Sequence, residues 1–390
     1  MADKKIKILH FSSRYEECGV AKYLQQYIQA MATLPEVSNE YFGTSPYQLA
    51  GMSAGDTQKM ADQLRKQLKD FDILHVQHEF SFYPRDSFRK IIEAGKQSGK
   101  KVIITMHISP SMHGGSKEVR LHGLGPRSII HFLRAKRGRH FFFREHVELF
   151  KLADLILVHN EFTADSLKKL GVKPERIKRI FFPVQVFGTP PKTIVINKNL
   201  NKRVGDVVYC AVGFQHKYKG LFDAVRALKF LPPNYKLAIL GGIKSDSDDP
   251  EFYNRLCDTI DALGLHGRVY ISGYIQSDDE LNGLIRECDV CIFPYDRVYY
   301  ANVSSSSLNL AFANDMPVIG YPTNTFTEVN KMSGGALVLC KAFAYYELAR
   351  ELRRIDLKKQ AELSKKYAEE MAWPKQTELL IDIYKEVAGA

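Results

Sequence analysis

Residues 302–320 read NVSSSSLNLAFANDMPVIG. Four serines, Ser304, Ser305, Ser306 and Ser307, precede Leu308, Leu310, Ala311 and Ala313, a spacing that predicts the buried face of a helix. Asp315 then leads into a short buried strand, Pro317-Val318-Ile319-Gly320. A serine run at a helix start offers hydroxyls and unpaired backbone N–H groups at the positive end of the helix dipole, a natural seat for phosphate. The same run serves equally as an N-cap with spare serines.

Outward from that unit the pattern repeats. Going back, strands are expected at 290–294, 269–272, 236–240 and 207–212, separated by helices at 278–287, 251–263 and 221–231. The alternation pauses at TPPKTIVINKNLNKR, where paired prolines, lysines and asparagines predict a linker. Before the pause, strands at 5–12, 41–42, 72–77, 101–106, about 155–157 and 177–183 alternate with helices starting near 19, 57, 87 and 163. Strands alternating with helices of this length mean parallel sheets of βα units. The expected fold is α/β, with two Rossmann-like, doubly wound parallel-sheet domains facing a cleft. The expected division is a first domain over 1–188, a linker over 189–203 and a second domain over 204–370. A helix over 371–390, after a break at Trp373-Pro374, is expected to pack back on the first domain. Ligands in such sheets bind beyond the carboxyl ends of the strands.

The 390 residues are 45% hydrophobic and 25% charged, as in a soluble protein with ample core. No apolar run reaches the roughly 18 residues of a membrane span. MADKKIKILHFSS runs into a strand and does not read as a signal peptide, so a cytoplasmic protein is expected. The close pair Cys288 and Cys291 has no second pair to complete a metal site and reads as buried thiols. A net charge of +11 favours an anionic partner.

Gly213, Lys217, Lys219 and Gly220 lie in the loop after the first strand of the second half. Glycine lets the backbone approach a ligand, and lysine supplies a point charge suited to phosphate. With the serine helix starting at another strand end of the same sheet, two anion-binding features face one crevice, as a diphosphate requires.

Gly213 with Lys219-Gly220-Leu221, the Gly241-Gly242 pair, CDVCIFPY and LAFANDMPVI follow one another in the order seen in family-4 glycosyltransferases, which have the GT-B fold. Gly19, HVQHEF at 75–80, ITMHIS at 104–109, ADLILVHNEFT at 153–163 and the late Trp373 also resemble that family, so the resemblance spans nearly the whole chain. It implies a retaining transfer from a nucleotide sugar, UDP- or GDP-linked, to an acceptor hydroxyl. The donor is a co-substrate, and neither a cofactor nor a metal is implied. Lys219 would contact the diphosphate, and the amides of Ser304 to Ser307 its distal phosphate. His107 would sit beside the sugar, Gly19 would let the first loop approach the reacting groups, and Glu328 would lie at the nucleotide-binding end. The family's usual two glutamates fall on Asn302 and Leu310, and its usual arginine on Phe214. The chain looks closer to a serine-rich branch; the expected donor-binding set here includes Asn302, with Lys217 supplying the lost positive charge.

Asp246-Ser247-Asp248 matches a metal-binding DxD only superficially and reads as a solvated loop. His78 and Glu79 fall at a strand end, where they would line the cleft. SIIHFLRAKRGRHFFFREH sets Arg134, Lys136, Arg137, Arg139 and Arg144 among phenylalanines. The stretch reads as a helix with solvated cations. It reads also as an acceptor-side surface for a membrane or an anionic polymer. The acceptor expected is a lipid-linked or polymeric glycan at the inner membrane surface. Nucleic acid with a modified base is the alternative, and a silent nucleotide-sugar-binding protein or a GT-B-type epimerase are the other classes.

Overall fold

The computed structural model describes residues 5–13, 19–45, 49, 51–80, 82–109, 125–185, 192–243, 249, 251–297, 300 and 304–389, with the backbone alone for 127, 131, 135–136 and 138–144. Asn302, Asp246 to Asp248 and the side chains of Lys136, Arg139 and Arg144 therefore lie outside the described residues.

The first half alternates β1 (Ile6–Ser13), α1 (Gly19–Met31), β2 (Val37–Thr44), α2 (Ala54–Leu68), β3 (Ile73–His78), α3 (Arg85–Gln97), β4 (Lys101–Met106), α4 (Pro126–Phe150), β5 (Leu155–Val158), α5 (Glu161–Lys169) and β6 (Ile177–Arg179). After α6 (Val195–Asn199), the second half runs β7 (Val207–Val212), α7 (Leu221–Leu228), β8 (Tyr235–Leu240), α8 (Phe252–Ala262), β9 (Val269–Ile271), α9 (Asp278–Arg286), β10 (Val290–Phe293), α10 (Ser306–Ala313), β11 (Val318–Gly320), α11 (Asn324–Met332) and β12 (Leu337–Leu339). Three helices close the chain: α12 (Tyr345–Arg354), α13 (Leu357–Glu370) and α14 (Trp373–Ala388).

Two six-stranded parallel sheets result, ordered β2-β1-β3-β4-β5-β6 and β12-β11-β10-β7-β8-β9. Parallel strands are covered on both faces, so they read as unbroken apolar runs, and ILHVQH of β3 is buried at every position. In the second sheet the order reverses between β7 and β10, with Cys210 opposite Cys291. Their sulfurs lie 3.3 Å apart as buried free thiols. That reversal sets the loop after β7 beside the loop after β10, which is the switch point where α/β sheets bind ligands.

One stretch differs from the sequence reading. Within the expected linker, α6 is fastened to the second half: Ile196 and Leu200 enter its core, and Glu287 accepts from the N–H groups of Val195 and Asn197 at 2.9 Å each. Trp373-Pro374 begins a helix, because proline in a first turn forfeits only an N–H that has no partner there. Trp373, Leu380, Ile381, Ile383 and Tyr384 of α14 pack with Ile8, Tyr23, Tyr27 and Ile73 of the first half. Among the described residues no helix is long and apolar enough to cross a membrane.

Candidate functional site

Gly213 follows β7, and its backbone has φ +108. A Cβ there would lie 2.7 Å from Ser307 Oγ and 3.3 Å from Lys219 Nζ, so the space over this glycine is bounded by a hydroxyl and an ammonium. A tight turn, Lys217–Lys219, leads to Gly220, which adopts φ +68 and starts α7. A side chain at Gly220 would run into the carbonyl oxygen of Pro294 at the end of β10. The glycine thus lets the two loops touch.

Lys219 is only 7% exposed. Its Nζ donates to Tyr295 Oη at 2.5 Å and to Ser307 Oγ at 3.4 Å. It lies 4.4 Å from the ring centre of Tyr295, 5.6 Å from that of Tyr300 and 5.9 Å from that of Tyr218. Among the described residues both hydrogen-bond partners are hydroxyls, and no carboxylate pairs with the ammonium. A buried cation without a counter-anion is costly, and an anionic ligand would offset that cost. Lys217 is exposed on the same turn. Phe214, at the family's arginine position, stacks on Tyr274 with ring centres 5.9 Å apart.

The serine run divides its work. Ser305 is buried, and its side chain caps α10 by accepting from Leu308 N–H at 3.2 Å. Ser307 faces Lys219, Ser306 is exposed, and Ser304 is half-buried. Ser304 and Ser305 line a cleft between the halves, with His159, Asn160 and Phe182 opposite. The capping role and the Lys219-facing role therefore fall on different serines. Leu310 is half-buried against the second core.

Glu328 lines the same cleft, but the first half occupies it. Its two carboxylate oxygens accept from Glu161 N–H at 3.1 and 3.0 Å, and Arg179 Nη2 lies 2.6 Å away. Burial raises its carboxyl pKa, while Arg179 and the Glu161 amide pull the other way. Its partners belong to the interdomain contact, whereas the resemblance puts it at the nucleotide-binding end.

In the first half His107 follows β4. Its N–H donates to the His78 carbonyl at 3.1 Å, and Nε2 lies 2.9 Å from Gln77 Oε1. The ring meets Tyr23 edge-on at 4.8 Å and His159 at 5.2 Å. Burial drives its pKa well below the ordinary value, and His159, His78 and His75 add to the shift. The imidazole is therefore neutral. Gly19 is exposed at the first residue of α1, and a Cβ there would meet nothing within 4 Å.

His78 does not line the cleft. It is fully buried among Phe80, Tyr83, Phe88 and Phe150, with ring centres 4.5 to 5.4 Å away and neither ring nitrogen partnered. The alternation of β3 turns it to the face that α3 and α4 cover. Glu79 is half-buried at the strand end. Arg134 and Arg137 are exposed on α4, beside the exposed Ile129, Ile130 and Leu133. Tyr295, Tyr300 and Gln77 went unread as site residues. Their only signal is their place at or near the carboxyl end of a strand.

Comparison with known proteins bears on this geometry. Residues 193–371 match the family described as Glycosyl transferases group 1, and residues 35–185 match Glycosyltransferase Family 4. No curated protein sequence matches the chain. Among solved structures, Anabaena Alr3699/HepE in complex with UDP aligns with a TM-score of 0.72 at 14% identity, covering 98% of this chain and 100% of that one. A glycosyltransferase from Rickettsia africae ESF-5 aligns at 0.71 and 15%, covering 98% of each chain. Sucrose-phosphate synthase from Thermosynechococcus elongatus aligns at 0.69 and 15%, covering 98% and 99%. At these identities the structural likeness speaks for the fold. The chain thus has the GT-B fold, with a first half similar to Glycosyltransferase Family 4 and a second half similar to Glycosyl transferases group 1.

Proposed function

We propose that this protein transfers a sugar from a UDP- or GDP-linked donor to an acceptor hydroxyl, with retention and without a metal. One observation carries the reading: Lys219 Nζ and Ser307 Oγ converge on the space over Gly213, and the buried ammonium has no carboxylate partner among the described residues. A diphosphate suits that space. The structurally similar HepE has been solved with UDP and with UDP-glucose, which supports a nucleotide-sugar donor here.

The demanding step is separation of sugar from diphosphate. Negative charge grows on the leaving phosphate, where Lys219 and the free N–H groups of the first turn of α10 stabilise it. The departing phosphate takes the acceptor proton, so no carboxylate base is needed. His107, in the first half, contacts the sugar. Bringing acceptor and donor together in one cleft contributes much of the remaining acceleration.

The acceptor we propose is a lipid-linked or polymeric glycan, reached by a protein resting on the inner membrane surface. Exposed Ile129, Ile130 and Leu133 beside Arg134 and Arg137 suit an anionic headgroup layer. A thermal-shift screen of UDP- and GDP-sugars identifies the donor. Lys219→Ala is expected to weaken binding of that donor at least about tenfold, in line with loss of a charge-assisted hydrogen bond. Unchanged affinity in a calorimetric titration would refute the phosphate site.

A further inference from the structure

Strand alternation sets His75 and Gln77 on the face of β3 opposite His78. Both line a narrow void between the first sheet, α1 and α14, together with Thr105, Tyr23 and Tyr384. The proposed chemistry uses neither of them, yet they form a continuous hydrogen-bonded chain that ends at His107. Tyr384 Oη lies 2.6 Å from His75 Nδ1. His75 Nε2 lies 2.7 Å from Thr105 Oγ1 and 3.4 Å from Gln77 Nε2. Gln77 Oε1 lies 2.9 Å from His107 Nε2. His75, Gln77, Thr105 and Tyr384 are each no more than 2% exposed.

The donor and acceptor rules fix the protons. An amide nitrogen only donates and an amide oxygen only accepts. With its nitrogen toward His75, Gln77 makes His75 Nε2 an acceptor, so His75 carries its proton on Nδ1 and donates it to Tyr384. The amide oxygen then faces His107, whose Nε2 must carry the proton.

We infer that Gln77 is a positioning residue, which holds His107 as the Nε2–H tautomer and leaves Nδ1 to accept a hydroxyl of the transferred sugar. Thr105 and Tyr384 lock the amide through His75, so the returning helix α14 takes part in orienting a group at the cleft. The assignment of the hydroxyl to a transferred sugar rests on the glycosyltransferase reading; the tautomer does not. Among the described residues the groups facing His107 are Gln77 from β3, Tyr23 from α1 and His159 after β5, with His75 and His78 further along β3. None is a carboxylate, which suits a ring kept neutral.

The test uses the full chain with ¹⁵N-labelled histidine and long-range proton–nitrogen spectra, His107 being assigned from His107→Ala. We expect His107 protonated on Nε2 and His75 on Nδ1. Gln77→Leu should give mixed tautomers at His107. Gln77→Glu, of nearly the same shape, should raise the His107 titration midpoint by about 1–3 pH units, as a carboxylate at that distance does. With UDP-glucose as probe, and GDP-mannose where UDP-glucose is not consumed, Gln77→Leu should lower kcat more than it raises KM. His107 protonated on Nδ1 in the unmodified chain, as a reversed amide would give, overturns the inference. So does a His107 tautomer and titration unchanged in Gln77→Glu, which keeps the test open if Gln77→Leu fails to fold. The expected tautomers without turnover of any nucleotide sugar would overturn the role given to His107 and leave the lock standing.

Discussion

Lys219 holds a charge where charge is expensive. Desolvating an ammonium costs several kcal/mol, and the Tyr295 hydroxyl with the rings of Tyr295, Tyr300 and Tyr218 offsets part of it. Tyr295→Phe keeps the ring and removes the hydroxyl. Hydrogen bonds to charged groups are worth about 1.5–3 kcal/mol, so the donor nucleotide identified by the thermal-shift screen should bind about 10- to 100-fold more weakly while the fold survives. Calorimetric titration with that nucleotide measures this, and an unaltered Kd would show that the hydroxyl does not orient the lysine. The lysine could be singled out in the sequence because glycine and lysine together after a strand suggest phosphate. The tyrosine could not. It reaches Lys219 only because β10 lies against β7, an adjacency between strands far apart in the chain. The serine run was legible as a helix start, but not which serine would cap it. That choice hangs on the first helical residue, and local propensity does not set helix boundaries to within one position.

Strands β1 and β3 and the segments after β4 and β5 carry histidines that burial keeps neutral. The pKa of His10 falls to about 4 through burial, against which its bond to Asn39 works, and that of His159 to about 4 through burial, against its bond to Ile180. Those of His75, His78 and His107 are also lowered by burial. The unfolded chain takes up these protons as pH falls below about 6.5, whereas the folded chain resists until far lower pH. Stability is therefore present above pH 6.5 and lost on acidification toward 4. The loss is about 1.4 kcal/mol per pH unit for each histidine, or about 4 kcal/mol by pH 5 from His10 and His159 alone. His78→Phe should lessen this loss without cost at pH 7, since its surroundings are aromatic and its nitrogens have no partners to lose. Urea unfolding at pH 7 and pH 5 tests it, and an equal loss in both proteins would count against it. HVQHEF reads clearly as a strand and its end. The face that α3 and α4 cover is a long-range outcome, which is why His78 looked like a cleft residue. Helix α4 is a second case: its cations were legible, while the exposure of Ile129, Ile130 and Leu133 was not. If this face meets an anionic bilayer, Ile129→Ser with Leu133→Ser should abolish flotation with phosphatidylserine vesicles that the unaltered protein shows at low salt. Equal flotation of both proteins would argue against this face.

The two sheets were legible because most of the parallel strands, such as KVIITM of β4 and VVYCAV of β7, are largely apolar runs between helices. β12 was missed because three residues, Leu337–Leu339, show no period. How the halves meet was not legible either, since that depends on side chains contributed by each. Asn309 Nδ2 of α10 donates to the carbonyls of Phe182 and Pro183 at 3.1 and 2.9 Å. Glu328 of α11 takes the Glu161 amide at the start of α5 and the Arg179 guanidinium at the end of β6. A carboxylate at a helix N-terminus and beside an arginine is doubly favoured. The pair is partly exposed, with side-chain exposures of 17% for Glu328 and 27% for Arg179, so solvent screening keeps its worth modest, about 1–2 kcal/mol. That is still roughly tenfold in a population of joined and separated halves. Glu328→Ala should therefore enlarge the radius of gyration in solution scattering and weaken donor binding several-fold, although the residue need not touch the donor. The exchange Glu328→Arg with Arg179→Glu separates the two readings. If Glu328 acts by joining the halves, the exchanged pair recovers much of the compactness and the donor affinity. If it grips the nucleotide directly, compactness returns and affinity does not.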